Sequence, residues 1–243
     1  MIRIGTAGWS VPKQYAAEFS IAGTHLSRYS QNLTCAEINS SFYRLHRIST
    51  WEKWSASVPD DFLFSVKAPK TITHEAKLAC TSEQLKAFLA EIRSLSKKLG
   101  PILFQLPPKS AFNLKVAENF FQMFRDLHSG PTAFEPRHPT WFSPEANHLL
   151  ERFQIARVAA DPALVPEAAN PGGWGEVIYY RLHGNPRMYY SAYPDPFLQG
   201  LAAALGRQHR TANIWCIFDN TASGAALGDA ITLQSLVANR STR

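Results

Sequence analysis

Cysteine is scarce in this chain of 243 residues: three occur, Cys35, Cys80 and Cys216, and none belongs to a Cys-x-x-Cys pair. That spacing argues against a disulfide framework and a structural zinc site, and leaves free thiols in a reducing compartment as the expectation. No run approaches the roughly 18 consecutive apolar residues that mark a bilayer-crossing helix. The start, Met1-Ile2-Arg3-Ile4-Gly5, enters a strand-like run rather than a charged region ahead of a long apolar core. A cytoplasmic protein with no membrane partner is therefore expected. Charge of one sign is also thin. The formal net charge of +6 is spread along the chain without a basic tail, which suits recruitment of a small anion and makes nucleic acid a minor candidate as partner. Neither a Walker pattern nor a dinucleotide fingerprint occurs. With no low-complexity segment or linker to mark a boundary, residues 1–243 read as one domain.

What is present is an alternation. Strand-like runs occur at Ile2 to Trp9, Cys35 to Tyr43, Phe62 to Lys67, Pro101 to Pro108, Thr132 to Arg137, Ile155 to Asp161, Val177 to Gly184 and Asn213 to Thr221. Between them lie helical patterns. Thr24 to Leu33 is the first, and Ser49-Thr50-Trp51-Glu52 has the form of a capping box opening the second. Glu83 to Leu99 carries Leu85, Phe88, Leu89 and Ile92 on one stripe, with Gly100 in the position that commonly ends a helix. Leu114 to Leu127 follows, then a helix begun by Ser143-Pro144, one capped by Asp195, and a last one from Ser223 to Asn239. A Pro/Gly/Ala-rich loop to Gly175 replaces a full helix after Asp161. Strands alternating with helices imply parallel pairing with crossover helices. Eight units in this length predict a single-domain α/β fold, a (β/α)8 TIM-type barrel.

The polar residues fall at one end of these strands: Glu37 and Asn39, Lys67, Gln105, Glu135 and Arg137, Asp161, Arg181 and His183, and Asp219 with Asn220. Barrel enzymes build their sites at the C-terminal rim. The motifs in order, among them Gly5-Thr6-Ala7-Gly8-Trp9, Glu37-Ile38-Asn39-Ser40-Ser41-Phe42-Tyr43, Val66-Lys67-Ala68-Pro69, Gln105-Leu106-Pro107-Pro108, Phe134-Glu135-Pro136-Arg137-His138, Tyr180-Arg181-Leu182-His183-Gly184 and Phe218-Asp219-Asn220-Thr221, resemble the YecE-like family, the bacterial domain of unknown function 72. The resemblance runs over essentially the whole chain. It implies a TIM-type barrel and leaves the activity open. Many relatives carry asparagine where Asp219 stands, which argues against that carboxylate as the sole essential group.

Glu135, His183 and Lys67 are the candidates for catalysis. A carboxylate beside Arg137 can act as base or nucleophile or form an ion pair that braces the barrel mouth, an imidazole can shuttle protons, and a lysine can bind an anion, lower a pKa, pair with Glu37 or form a Schiff base. Arg137 and Arg181 suit anionic oxygens. Glu37, Asn39, Gln105, Asp161, Asp219 and Asn220 suit positioning, and His138, which strand alternation turns away, capping or orienting. Trp9, Tyr43 and Tyr190 could stack on a planar substrate, with the tyrosine-rich loop from Asn185 to Pro194 closing as a lid. Arg187 and the amides near Ser223 and Gly224 could hold a phosphate. The expected function is acid/base enzymology on a small polar or anionic, sugar- or phosphate-like substrate. One alternative is a ligand- or nucleic-acid-binding module using Arg187 with Arg207 or Arg210. Another is a divalent-metal-dependent hydrolase of phosphodiesters or sugars. Three rim cations oppose a metal, so no metal ligand is assigned and no cofactor is expected.

Overall fold

Parallel strands follow one another round a sheet that nearly closes on itself. The computed structural model describes residues 1–20, 22–209 and 211–241, so Arg210 lies outside the described residues. The strands are β1 (Ile2–Ala7), β2 (Cys35–Ile38), β3 (Leu63–Lys67), β4 (Leu99–Gln105), β5 (Thr132–Glu135), β6 (Ala156–Arg157), β7 (Ala159–Asp161), β8 (Gly172–Gly173), β9 (Val177–Leu182) and β10 (Asn213–Phe218). The helices are α1 (His25–Tyr29), α2 (Ser40–Tyr43), α3 (Ile48–Ala56), α4 (Ser82–Ile92), α5 (Leu114–Leu127), α6 (Pro144–Arg152), α7 (Asp195–Gln208) and α8 (Ala225–Ser241). The sheet order is β7-β9-β10-β1-β2-β3-β4-β5-β6-β8, and every pairing is parallel except β6 with β8.

The expected count of eight strands is corrected to ten. The sixth breaks at Val158, so one segment begins paired to β5 and ends paired to β9. That segment joins the two ends of the sheet. The extra strand β8 consists of two glycines. A side chain at Gly172 would meet the Arg157 guanidinium, and Gly173 has φ +64 with Ile155 O 2.4 Å from where a Cβ would sit. Only glycine accepts that backbone at such close approach.

Several boundaries also move. The second strand ends at Ile38, because Asn39 is already in the right-handed helical region and Ser40–Tyr43 forms a helical turn. The helix expected from Ser49 begins at Ile48 behind Arg47, with no side-chain cap. The capping box belongs to α4, where Thr81 and Gln84 bond each other's backbone reciprocally. That helix loosens into a 3-10 segment, Arg93–Lys98, and Gly100 lies inside β4 instead of ending a helix. A Cβ on Gly100 would meet the Trp215 ring at 2.5 Å. Asp195 is the first residue of α7 and not its cap. The Ser143 cap and Leu114–Leu127 stand as read, with Phe120, Phe121 and Phe124 of α5 buried against the sheet. Burying each such ring is worth about 1.5–3 kcal/mol.

Two apolar layers result. The larger fills the space between sheet and helices. The smaller, Cys35, Leu103, Ala133, Val158, Tyr179, Trp215 and Ile217, fills the barrel interior. Two residues further toward the strand C-termini, Cys35, Leu103, Ala133, Tyr179 and Ile217 are followed by Glu37, Gln105, Glu135, Arg181 and Asp219, whereas Val158 is followed by Ala160. Cys35 and Cys216 are buried free thiols, while Cys80 is half-buried.

Candidate functional site

Above the inner apolar layer the alternation of β2, β3, β4, β5, β9 and β10 turns Glu37, Ser65 and Lys67, Gln105, Glu135, Arg181 and Asp219 inward, with His183 just beyond β9. Arg181 is at the centre and fully buried. Its Nε and Nη2 donate to the two oxygens of Glu37 at 3.0 and 2.7 Å, its Nη1 to Glu135 at 2.7 Å, and Nη2 also reaches Asp219 at 3.1 Å. Glu135 has four donors: Gln105 and Arg181 on Oε2, and Arg137 and His183 on Oε1. His183 lies between two carboxylates, Nε2 2.9 Å from Glu135 and Nδ1 3.0 Å from Asp219. An ionised carboxylate only accepts, so both ring nitrogens donate and the ring is an imidazolium. Tyr179 closes the floor, donating to Glu37 at 2.8 Å with Ser65 2.6 Å from its hydroxyl.

The charges of this lattice match: three carboxylates, Glu37, Glu135 and Asp219, face three cations, Arg181, Arg137 and His183. Burial alone would raise the Glu135 carboxyl, but Arg181, His183 and Arg137 together outweigh it and hold the group well below the usual carboxylate range. Burial likewise opposes the charge on His183, and Glu135 and Asp219 overcome it, so its pKa is raised. Asp219 is lowered, with burial opposed by Arg181 and His183 and, more weakly, by Lys67.

Lys67 is the fourth cation, without a fourth carboxylate. Among the described residues its ammonium makes no hydrogen bond or ion pair, and it stands 4.2 Å above the Phe42 ring. Burial, with Arg181 nearby, pushes its pKa down to about 8, against the pull of Glu37, Glu135 and Asp219. It opens on a cavity of about 400 Å³ lined by Asn39, Tyr43, Lys67, Tyr189, Tyr190, Asp219, Thr221 and Ala222. Two acceptors are spare at this level. Among the described residues Asp219 Oδ1 takes no hydrogen bond, and the buried Asn39 Oδ1 has no partner. The loop over the cavity is pinned: Ser223 Oγ donates to Tyr190 O at 2.6 Å, and the exposed Arg187 stacks on the Tyr190 ring at 4.0 Å.

Of the residues singled out from sequence, Asn39, Tyr43, Lys67, Tyr190 and Asp219 line this cavity, and Glu37, Gln105, Glu135, Arg137, Arg181 and His183 form the lattice beneath or beside it. Four lie elsewhere. Asp161 pairs in register with Leu182, on the outward face, where it accepts from Tyr193 Oη at 3.0 Å and lines a separate cavity with Tyr180 and Phe197. Trp9 packs edge-on against Trp54 and Phe64. His138 caps the 3-10 turn Pro139–Phe142 through Nδ1 and the Thr140 amide. Asn220 is fully buried and donates to Ser191 O and Asp229. Sequence reasoning passed over Ser65 and Tyr179, two residues before Lys67 and Arg181 on the same strand faces, and that spacing was the available signal. It also passed over Phe42, which sets the surroundings of the amine. Among the described residues no group of three or more His, Cys, Asp or Glu side chains is arranged to hold a metal ion, and no helix is long and apolar enough to cross a membrane.

A family model described as "Protein of unknown function DUF72" matches residues 3–243. The chain belongs to the DUF72 family. Its curated relatives include the UPF0759 protein YecE of Escherichia coli K12, 31% identical over 180 residues, or 70% of this chain and 62% of that protein. The UPF0759 protein YunF of Bacillus subtilis is 30% identical over 152 residues, 59% of this chain and 53% of YunF. The matched chain thus spans less than two thirds of either relative. Two crystal structures of DUF72 proteins share the fold. One, from Enterococcus faecalis, superposes with a TM-score of 0.83 at 22% identity over 98% of this chain and 96% of its own. The other, from Thermotoga maritima, gives 0.81 at 22% identity over 98% and 99%.

Proposed function

We propose that this DUF72 protein is a TIM-barrel-type enzyme that performs acid/base chemistry on a small anionic substrate in the rim cavity. The observation that carries the reading is the contrast within one barrel mouth. Glu135 and His183 have every side-chain polar atom engaged, whereas among the described residues the Lys67 ammonium and Asp219 Oδ1 have no hydrogen-bond partner, and both residues line the cavity. A group that moves protons during turnover needs a free lone pair or proton and a pKa near the working pH. Lys67 meets both conditions. Glu135 and His183, given proton-handling roles on sequence grounds, serve here by fixing Asp219 and Arg181 in place. Lys67 is also the surplus positive charge of the mouth, which favours an anionic ligand, and Tyr43, Tyr189 and Tyr190 form an amphipathic lip. The cavity volume lies in the range typical of small-molecule sites.

The test is untargeted. Protein incubated with a small-molecule extract, and analysed by mass spectrometry, should deplete at least one anionic metabolite, and Lys67→Met should leave it untouched while keeping the native circular dichroism. A wild-type protein that depletes nothing, yet binds nucleic acid with steep salt dependence, would overturn the reading in favour of a binding module.

A further inference from the structure

We infer that Lys67 forms a Schiff base with a carbonyl compound admitted to the rim cavity: the structure sets an unbonded amine, a carboxylate with one free oxygen and a tyrosine around one small space. The inference rests on the rim cavity being the substrate site, and it names the class of substrate. Three observations separate this role from simple anion binding. First, Lys67 stands within electrostatic reach of Glu37, Glu135 and Asp219 and pairs with none of them. The carboxylates are already committed to Arg181, Arg137 and His183, so the amine is held apart by the lattice beneath it. Second, the ammonium stands 4.2 Å over the Phe42 ring, a contact that offers it no carboxylate or carbonyl partner. Burial and the nearby Arg181 favour the uncharged form, and a neutral amine is the nucleophile that attacks a carbonyl. Third, proton acceptors and donors stand on the same wall. Asp219 Oδ1 is free, and Tyr189 lines the cavity with its phenol pKa raised by burial and by Asp219, so it stays protonated and able to donate.

The step balances without an oxidant or reductant. The Lys67 Nζ lone pair attacks the carbonyl carbon, forming the C–N bond, while the carbonyl oxygen takes a proton. Loss of that oxygen as water breaks the C–O bond and leaves a protonated imine. One ammonium and one carbonyl thus give one iminium and one water. The iminium keeps the positive charge of the lysine, so an anionic substituent on the substrate remains matched. It also withdraws electrons from the neighbouring carbon, whose proton Asp219 Oδ1 can accept. Because that carboxylate assists and does not bond covalently, asparagine at its position weakens the second step without removing the first.

Reductive trapping tests this on the whole chain. Pyruvate and glyceraldehyde serve as carbonyl probes near pH 7.5 with cyanoborohydride, which reduces the iminium and makes it permanent, and the adducts are mapped on peptides. With its pKa near 8, the fraction of Lys67 present as free amine at that pH is on the order of a hundred times that of an ordinary lysine. Lys67 should therefore be trapped at least about tenfold faster than the exposed Lys13 and Lys86. Lys67→Arg, which keeps the charge, should lose that adduct alone. Trace labelling with acetic anhydride reads the same amine without a carbonyl. Preferential acetylation of Lys67 with no trapping of either probe would overturn the Schiff base and leave the rim cavity standing as the substrate site. If neither reagent prefers Lys67, both proposals fall. Should Lys67→Arg misfold, the ranking of lysines within the wild-type chain still decides.

Discussion

The two storeys of the barrel mouth, the lower on strand ends and the upper mostly on the turns that follow them, obey opposite rules. In the lower one Arg181 is surrounded by Glu37, Glu135 and Asp219, charges cancel, and nearly every donor meets an acceptor. In the upper one Lys67 and Asn39 carry polar atoms with no partner among the described residues. The first arrangement resists change, since a buried ion network is expensive to break and gains nothing from a ligand. The second is the part a ligand can complete. The difference teaches that the charged residues of a strand end are not equivalent: saturation, more than residue type, separates those the protein itself engages from those left for a ligand.

Substitutions can break the comparison. The largest expected effect is from Arg181→Met, which strands three buried carboxylates. It should cost about 3–5 kcal/mol, read as a lowered midpoint in urea unfolding. A loss under about 1 kcal/mol, the range of exposed ion pairs, would mean that the lower storey is not the brace described.

Next in size is a pH effect confined to the upper storey. In the folded state Lys67 releases its proton near pH 8, while in the unfolded chain it keeps it to about 10.4. Between those values the unfolded state binds more protons, so stability rises with pH. The contribution of Lys67 should increase by on the order of 2 kcal/mol from about pH 7.5 to 9.5. Because histidine and tyrosine titrations also act in that window, the measurement is the difference between the wild type and Lys67→Met at each pH. A difference that stays flat across the window would show that the amine titrates like an exposed lysine.

The smallest expected effect sharpens the boundary between inside and outside. Asp161 sits near the rim in sequence but faces the outer layer, so Asp161→Ala should cost only about 1 kcal/mol through the lost Tyr193 hydrogen bond. Trapping at Lys67 should be unchanged. Slower trapping in this variant would place the outer face in communication with the cavity.

How far the sequence could be read follows from which rules were local. Periodicity of two put Glu37 with Asn39, Glu135 with Arg137 and Arg181 with His183 on shared faces, and strand-end position brought Lys67 to the same rim, because neither needs tertiary information. Asp161 was placed at the rim by its position at a strand end alone, and the structure turns it to the outer face. Its strand breaks at Val158 and restarts paired to β9, and the facing of a two- or three-residue strand depends on that partner more than on its own pattern. Gly100 was read as a helix end, though the reason for glycine there is a tryptophan from β10 closing on it across the interior. No local signal reports such a contact. Saturation was illegible for the same cause: that Glu135 has four donors, and the Lys67 ammonium no acceptor among the described residues, is a property of six strands together.

The early end of β2 has a design consequence. Asn39 with its spare oxygen, Phe42 beneath the amine and Tyr43 at the lip all belong to one turn, Ser40–Tyr43 and its cap. Ser41 staples that turn to the backbone of Lys67 itself, donating to its carbonyl at 2.7 Å. Five consecutive residues therefore act as an exchangeable cassette. Rewriting them retunes the basicity of the amine and the shape of the entrance at once, with the ionic brace below left as the fixed chassis.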